Sequence, residues 1–297
     1  MFHFRALNVL AAGIGYMCVS SLDKWRHTSF KVSAQPHPRY KRDAMAGILF
    51  RHGVPRRDIL LNYPDIQVSY DNRNKVPNWV LEHLTIKKLT TIKVQSIGQF
   101  EEEPKVFVNH RSTVQHYSTL EGMHRVRLAC GKNHRDSQEN YNATLKLSTV
   151  APQDAYLNQF FWNDLDGYMR YLTAHYKDVY IFTGPLFLLE ENSNEMEYDL
   201  VTRGLIGVPT HFYKMVIARR QDEGYDLGCY FLPNEAIANE DSLSDYRIPL
   251  GELEEKAGFR LFKNPETKNT LGCLLDVPDF RQRRKEYMEA AGLMCAY

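Results

Sequence analysis

The chain has only five cysteines in 297 residues, an odd number with no Cys-x-x-Cys pair. That excludes a disulfide framework and a cysteine-built zinc site, and makes a reducing compartment the default. An excess of charge is also lacking: 37 Lys and Arg against 36 Asp and Glu leave a formal +1, which excludes a uniformly basic polyelectrolyte binder. A polyanionic partner would have to be held locally. There is no internal repeat and no low-complexity tract. The N-terminal uncharged run, Ala6 to Leu22, has seventeen residues, at the short end of the roughly 17 to 25 that a membrane helix needs. What the chain does have is 43% hydrophobic and 12% aromatic residues, enough to bury a sizeable core in one large or two small domains.

The even balance of charge hides an uneven distribution. Between residues 24 and 57 nine basic residues face one acid, Asp43. A short apolar stretch with basic, acid-poor flanks fits mitochondrial import with a membrane anchor. A secretory signal would need a better cleavage site than Ser20 and Ser21 offer, and a buried helix is the third option. Pro36 and Pro38 mark a linker. Residues 1–44 are therefore assigned to a targeting and anchor segment with its basic linker, and residues 45–297 to the folded body.

Within that body, Ile66 to Tyr70 alternates as a strand and stops at the turn signal Asp71-Asn72. Trp79 to Leu84 reads as a strand or a first helical turn. Asp178 to Thr183 reads as a buried strand stopped by Gly184-Pro185, and Thr210 to Arg219 as another strand. Leu157, Phe161, Leu165, Tyr168 and Leu172 fall at helical spacing and predict one helix from Ala155 to Tyr176. The cysteines read as small buried hydrophobes, and Arg281-Gln-Arg-Arg-Lys-Glu as a basic run on a helix. The fold class is α+β with an antiparallel sheet.

Two adjoining stretches carry a more specific signal: Ser148-Thr-Val-Ala-Pro-Gln153, then Leu157-Asn-Gln-x-x-Trp-Asn-x-Leu-Asp166. They resemble the segment around the metal-binding asparagine of the DNA/RNA non-specific endonucleases, the ββα-metal nucleases, and most closely their mitochondrial endonuclease G-like branch. Further collinear matches are Arg51-His-Gly-Val-Pro55, Tyr70-Asp71 with Trp79 to Leu84, Lys132-Asn-His134, Tyr180 to Phe187, and Val208 to Phe212. The resemblance spans about residues 47 to 265. It implies a ββα-metal fold with an antiparallel sheet flanked by helices, and phosphodiester hydrolysis of DNA and RNA without sequence preference. A homodimer, or a heterodimer with a related nuclease, is implied as well. So is a mitochondrial, inner membrane-anchored location facing the intermembrane space.

Phosphodiester hydrolysis needs an activated water, a cation on the phosphoryl oxygens and positive charge for the transition state. In the family a histidine within an Asp-Arg-Gly-His motif is the base. An asparagine is the single direct ligand of a hydrated Mg²⁺ or Mn²⁺, and a glutamate and an arginine follow on the same helix. By position the metal ligand is Asn158, the glutamate becomes Asp166 and the arginine is Arg170. On an unbroken helix these three lie on a common face about 120° wide, at about 100° per residue. Asp166 is one methylene short of a glutamate, about 1.5 Å.

The base is missing. Counting back from Lys132-Asn-His134 turns the motif into His124-Arg125-Val126-Arg127 and ends it on Arg127. Counting forward from His110 ends it on Val126. Arginine stays protonated and valine has no proton to exchange, so neither is a general base. A local bulge could bring His124 to the required point as a substitute. Loss of a general base costs about 10²- to 10⁴-fold.

Phosphate binding can outlast chemistry. Arg125, Arg127, Lys132 and Arg135 cluster near the presumed site, and by the resemblance Lys75 lies near a position where the family carries an arginine; a solvated basic face is the plain alternative. Three readings follow: a pseudonuclease that still holds nucleic acid, an active nuclease using His124, and a non-enzymatic dimerisation subunit. The missing histidine favours the first.

Overall fold

A computed structural model describes residues 57–94, 98–189, 199–201, 206–238, 241–261 and 270–276. The N-terminal apolar segment, the Arg51 motif and the basic run at Arg281 lie outside them. Among the described residues no helix is long and apolar enough to cross a membrane.

The body is built on a mostly antiparallel sheet. Three strands come first: β1 (Asp58–Asn62), β2 (Ile66–Asp71) and β3 (Val76–Leu84), followed by a short helix α1 (Ile86–Thr90). A separate two-stranded ribbon follows, β4 (Met123–Arg127) with β5 (Val150–Asp154), and between them lies α2 (Gln138–Ala143). Next come α3 (Ala155–Gln159) and α4 (Phe161–Leu172), then β6 (Asp178–Leu186). The pair β7 (Leu200–Val201) and β8 (Ile206–Gly207) precedes the two long strands β9 (His211–Arg219) and β10 (Tyr225–Pro233). The last elements are β11 (Arg247–Ile248), α5 (Leu250–Ala257) and β12 (Gly272–Cys273). Strands run in the order β1-β2-β3-β6-β9-β10-β11, and β12 pairs β10 in parallel.

Side-chain alternation on β9 sorts the two faces of the sheet. Phe212, Val216 and Ala218 join the main core with Leu165, Tyr168, Met169 and Leu172 of α4. Tyr213 and Met215 join a smaller core with Cys229 and with Leu253 of α5. Lys214 falls in register with Phe212 and Val216, so the apolar strand delivers one ammonium to the α4 side.

The antiparallel α+β expectation holds, and Trp79 to Leu84 is a strand. Two expectations need correction. The strand at Asp178 does not stop at Gly184-Pro185 but continues to Leu186. Gly184 is required there because a Cβ would run into the Asn78 carbonyl and the Tyr213 ring. Pro185 lies beyond the last β3 pair, Val80 with Thr183, where its missing N–H removes no bond on that side.

The second correction is the helix predicted from Ala155 to Tyr176, which is broken at Phe160, where φ is −109° and ψ −82°. Phe160, Phe161 and Trp162 are all buried. Three consecutive residues on an unbroken helix fan over about 200°, wider than one buried stripe. The break lets all three turn inward. Asp154 caps the short α3, its carboxylate accepting from the Leu157 N–H at 2.8 Å.

Candidate active-site cleft

The ribbon positions the site. Five consecutive pairs, from Met123 with Asp154 to Arg127 with Val150, run without a bulge. Arg125 and Arg127 therefore share one face while Val126, 2% exposed, enters the core. The side chain presented to solvent at the motif's end is that of Arg127.

A cleft of about 370 Å³ opens there, lined by Arg125, Arg127, Lys132, Asn158, Trp162 and Asp166 together with Cys130, Gly131 and Tyr141. Asn158 and Asp166 thus meet despite the helix break, which replaces the simple helical-face geometry. Arg170 is not in this lining. Its Nη1 donates to Asn133 Oδ1 at 3.1 Å and lies 3.6 Å from Cys130 Sγ, behind the cleft surface. Asn133 Nδ2 in turn donates to the buried Glu82 at 3.3 Å, and His134 Nε2 is 2.8 Å from the same Glu82 oxygen. Lys75 is not in the lining either. It occupies the β2–β3 turn with φ +56°, where desolvation lowers its pKa.

The Asn158 amide is oriented by Gln153, to whose Oε1 its Nδ2 donates at 2.9 Å. Its Oδ1 is left as acceptor and lies 3.3 Å from His124 Nδ1. His124 stands at the edge of the site, touching the asparagine without lining the cleft. Asp166 is engaged from below: Lys214 Nζ, fully buried, lies 3.0 Å from its Oδ1. The same ammonium donates to Thr183 Oγ1 at 3.2 Å and sits 4.6 Å from the Trp162 ring centroid. Arg127 lies 5.7 Å over the Tyr141 ring, with one long contact of 3.4 Å from Nη1 to Thr144 Oγ1. Arg125 lies 4.8 Å over Phe100.

Two kinds of reactive group are ruled out by environment. The Cys130 thiol is pushed up to about 12 by burial, with the Asp166 carboxylate adding and Arg170 opposing, so it is not a nucleophile near neutrality. Three other histidines are committed elsewhere. His134 is buried against Glu82, His116 Nδ1 accepts from the Thr113 N–H, and His211 stacks on Phe231. Desolvation lowers the pKa of both His116 and His211. Of the cysteines, Cys229 is buried as expected but Cys273 is exposed, because the two-residue β12 lies at the sheet margin.

Comparison with known proteins decides the family. The family model for DNA/RNA non-specific endonucleases matches residues 46–268.

The chain belongs to the DNA/RNA non-specific endonuclease family.

Nuclease C1 of Cunninghamella echinulata var. echinulata is 35% identical over 213 residues, covering 70% of this chain and 83% of that protein. Mitochondrial endonuclease G of Bos taurus is 33% identical over 221 residues, covering 73% and 74%. Among solved structures, an EndoG/EndoGI complex aligns with TM-score 0.67 and 32% identity over 76% of this chain and 94% of that one.

DNA/RNA non-specific endonucleases are metal-dependent, so the donor set can be tested against a divalent cation. The family's site uses one asparagine and metal-bound waters, so the test falls on Asn158 and the groups that would face those waters; among the described residues no group of three His, Cys, Asp or Glu supplies an alternative site. Of the amide oxygens in the lining, Asn158 Oδ1 faces His124 and Asn163 Oδ1 accepts from Lys132 at 3.5 Å, and the one carboxylate, Asp166, is paired with Lys214. Arg125, Arg127 and Lys132 line the same space. Oxygen-loving cations need anionic or uncommitted oxygens. This set fits an anion and does not fit a divalent cation.

Sequence reasoning missed Lys214, Gln153 and Gly131. Lys214 was visible as a lone cation inside the apolar run His211 to Ala218, and Gln153 closed the Ser148–Gln153 motif without its role beside Asn158 being read; Gly131 carries no signal in one sequence.

Proposed function

We propose that this chain is a mitochondrial, endonuclease G-like member of the family that holds the phosphate backbones of DNA and RNA but has lost most or all phosphodiester hydrolysis. The observation that carries this reading is Arg127. It occupies the end of the degenerate motif, its side chain lines the cleft, and no imidazole joins it there. A guanidinium is protonated at every physiological pH, so it binds phosphate but takes no proton from water. The mitochondrial relatives and the basic, acid-poor N-terminal flanks support the location, with the apolar segment as an inner-membrane tether facing the intermembrane space. Pairing with a second copy or an active relative is part of the same proposal, since a partner is the remaining source of a base.

A second reading has one observation in its favour. His124 Nδ1 lies 3.3 Å from Asn158 Oδ1, so an imidazole is at the edge of the site. The regular β4–β5 register, however, lacks the bulge that would carry it inward.

One experiment separates the two. The full-length protein is incubated with plasmid DNA and with RNA in Mg²⁺ or Mn²⁺, beside His124→Ala. We expect no cleavage above background and retarded DNA mobility at low salt. Cleavage that disappears in His124→Ala establishes the second reading instead.

A further inference from the structure

The way Arg127 is held says more than that it is present. Gly131 packs against its guanidinium so closely that a Cβ added there would lie 2.6 Å from Cζ. Tyr141 supports the other contact at 5.7 Å. The guanidinium has five N–H donors, and among the described residues only Thr144, at 3.4 Å, accepts from it. A planar fork over an aromatic ring keeps its donors in its own plane, where they match a phosphate bidentately. No carboxylate among the described residues competes for it, because Asp166 belongs to Lys214.

We infer that Gly131 and Arg127 form a matched seat for a phosphodiester of DNA or RNA, and that the cleft fills this seat without a divalent cation. The inference rests on the proposed retention of nucleic-acid binding and adds to it a positioning residue and a metal requirement of zero. Lys132 and Arg125 flank the seat and complete the positive charge that a metal would otherwise bring. Gly131 acts only through Arg127. It removes the side chain that would push the guanidinium out of the cleft.

The test is a fluorescence-anisotropy titration of full-length protein into a fluorescein-labelled single-stranded DNA and its RNA counterpart, in EDTA and in Mg²⁺. Wild-type affinity is expected to be the same in both buffers. Arg127→Ala should weaken binding about tenfold, the loss expected when a charged hydrogen-bond partner of phosphate is removed. It should also flatten the log-log salt dependence by about one. Gly131→Ala should weaken binding to a similar extent, and the double variant should be no weaker than either single one, because both changes remove the same contact. The added Cβ meets only the mobile end of a side chain, and an unchanged thermal melt checks that the variant is folded. Arg127→Lys keeps the charge but loses the fork, and should fall between alanine and wild type.

Loss of wild-type binding in EDTA overturns the inference, as does wild-type affinity in Gly131→Ala or losses that add in the double variant. Absence of wild-type binding in both buffers overturns the nucleic-acid reading beneath it, and the seat with it.

Discussion

The sheet side and the ribbon side of the cleft each contribute a cation, and the two are held in opposite manners. Lys214, on β9, is fully buried and spends its ammonium on Asp166, Thr183 and the face of Trp162. Arg127, on β4, rests on Gly131 and Tyr141 and has a single distant acceptor. A charge surrounded by partners is structural, and removing it strands its counter-ion. A charge with support but few acceptors is available to a ligand. Position beside one cleft therefore does not define role; the number of satisfied donors does.

That comparison breaks most visibly at Lys214. Lys214→Met leaves the Asp166 carboxylate buried without its counter-charge and should cost about 3 to 5 kcal/mol of stability in urea unfolding. Adding Asp166→Asn should return part of the loss. A Lys214→Met protein as stable as wild type would show that the pair is not the anchor described.

Arg127→Met should by contrast change unfolding stability by no more than about 0.5 kcal/mol, since no buried partner is stranded. A loss as large as that of Lys214→Met would erase the distinction between the two cations.

The smallest effect is chemical. Cys130 lies between the two sides, and burial next to Asp166 raises its thiol to about 12, with Arg170 opposing. Its thiolate is stabilised only as pH climbs toward that value, so at about pH 8 it should resist iodoacetamide. Buried Cys229, likewise raised to about 12 by desolvation, should also resist, while exposed Cys273 is modified. Peptide mass spectrometry before and after denaturation reads the order, and modification of Cys130 in the folded protein contradicts it.

Four of the twelve described strands, β2, β3, β6 and β9, were legible because alternation and turn residues are local signals, as Ile66 to Asp71 and His211 to Arg219 illustrate, whereas β10 and the ribbon strands β4 and β5 were not read as strands. Asn158 and Asp166 were legible as a pair through flanking residues, but their meeting was not a matter of helical arithmetic. The break at Phe160 arises from burial of three adjacent aromatics, a demand set by the rest of the core. The same applies to Arg170, carried to the site by the resemblance and found outside the cleft lining, on Asn133. Lys75 illustrates another limit: a residue type can match a family pattern while its turn places it outside the cleft lining. Lys214 and Asp166 lie 48 positions apart, and only folding makes them partners.

The tight fit at Gly131 also constrains the order in which such a site can be assembled by single changes. With any side chain at residue 131 the guanidinium has no room in its present pose, whereas a glycine there is compatible with a smaller side chain at 127. The permissive step is thus the glycine, and the arginine follows. A histidine placed at 127 meets no steric bar from residue 131, so the change toward a hydrolytic site, like the order glycine then arginine, can proceed one substitution at a time.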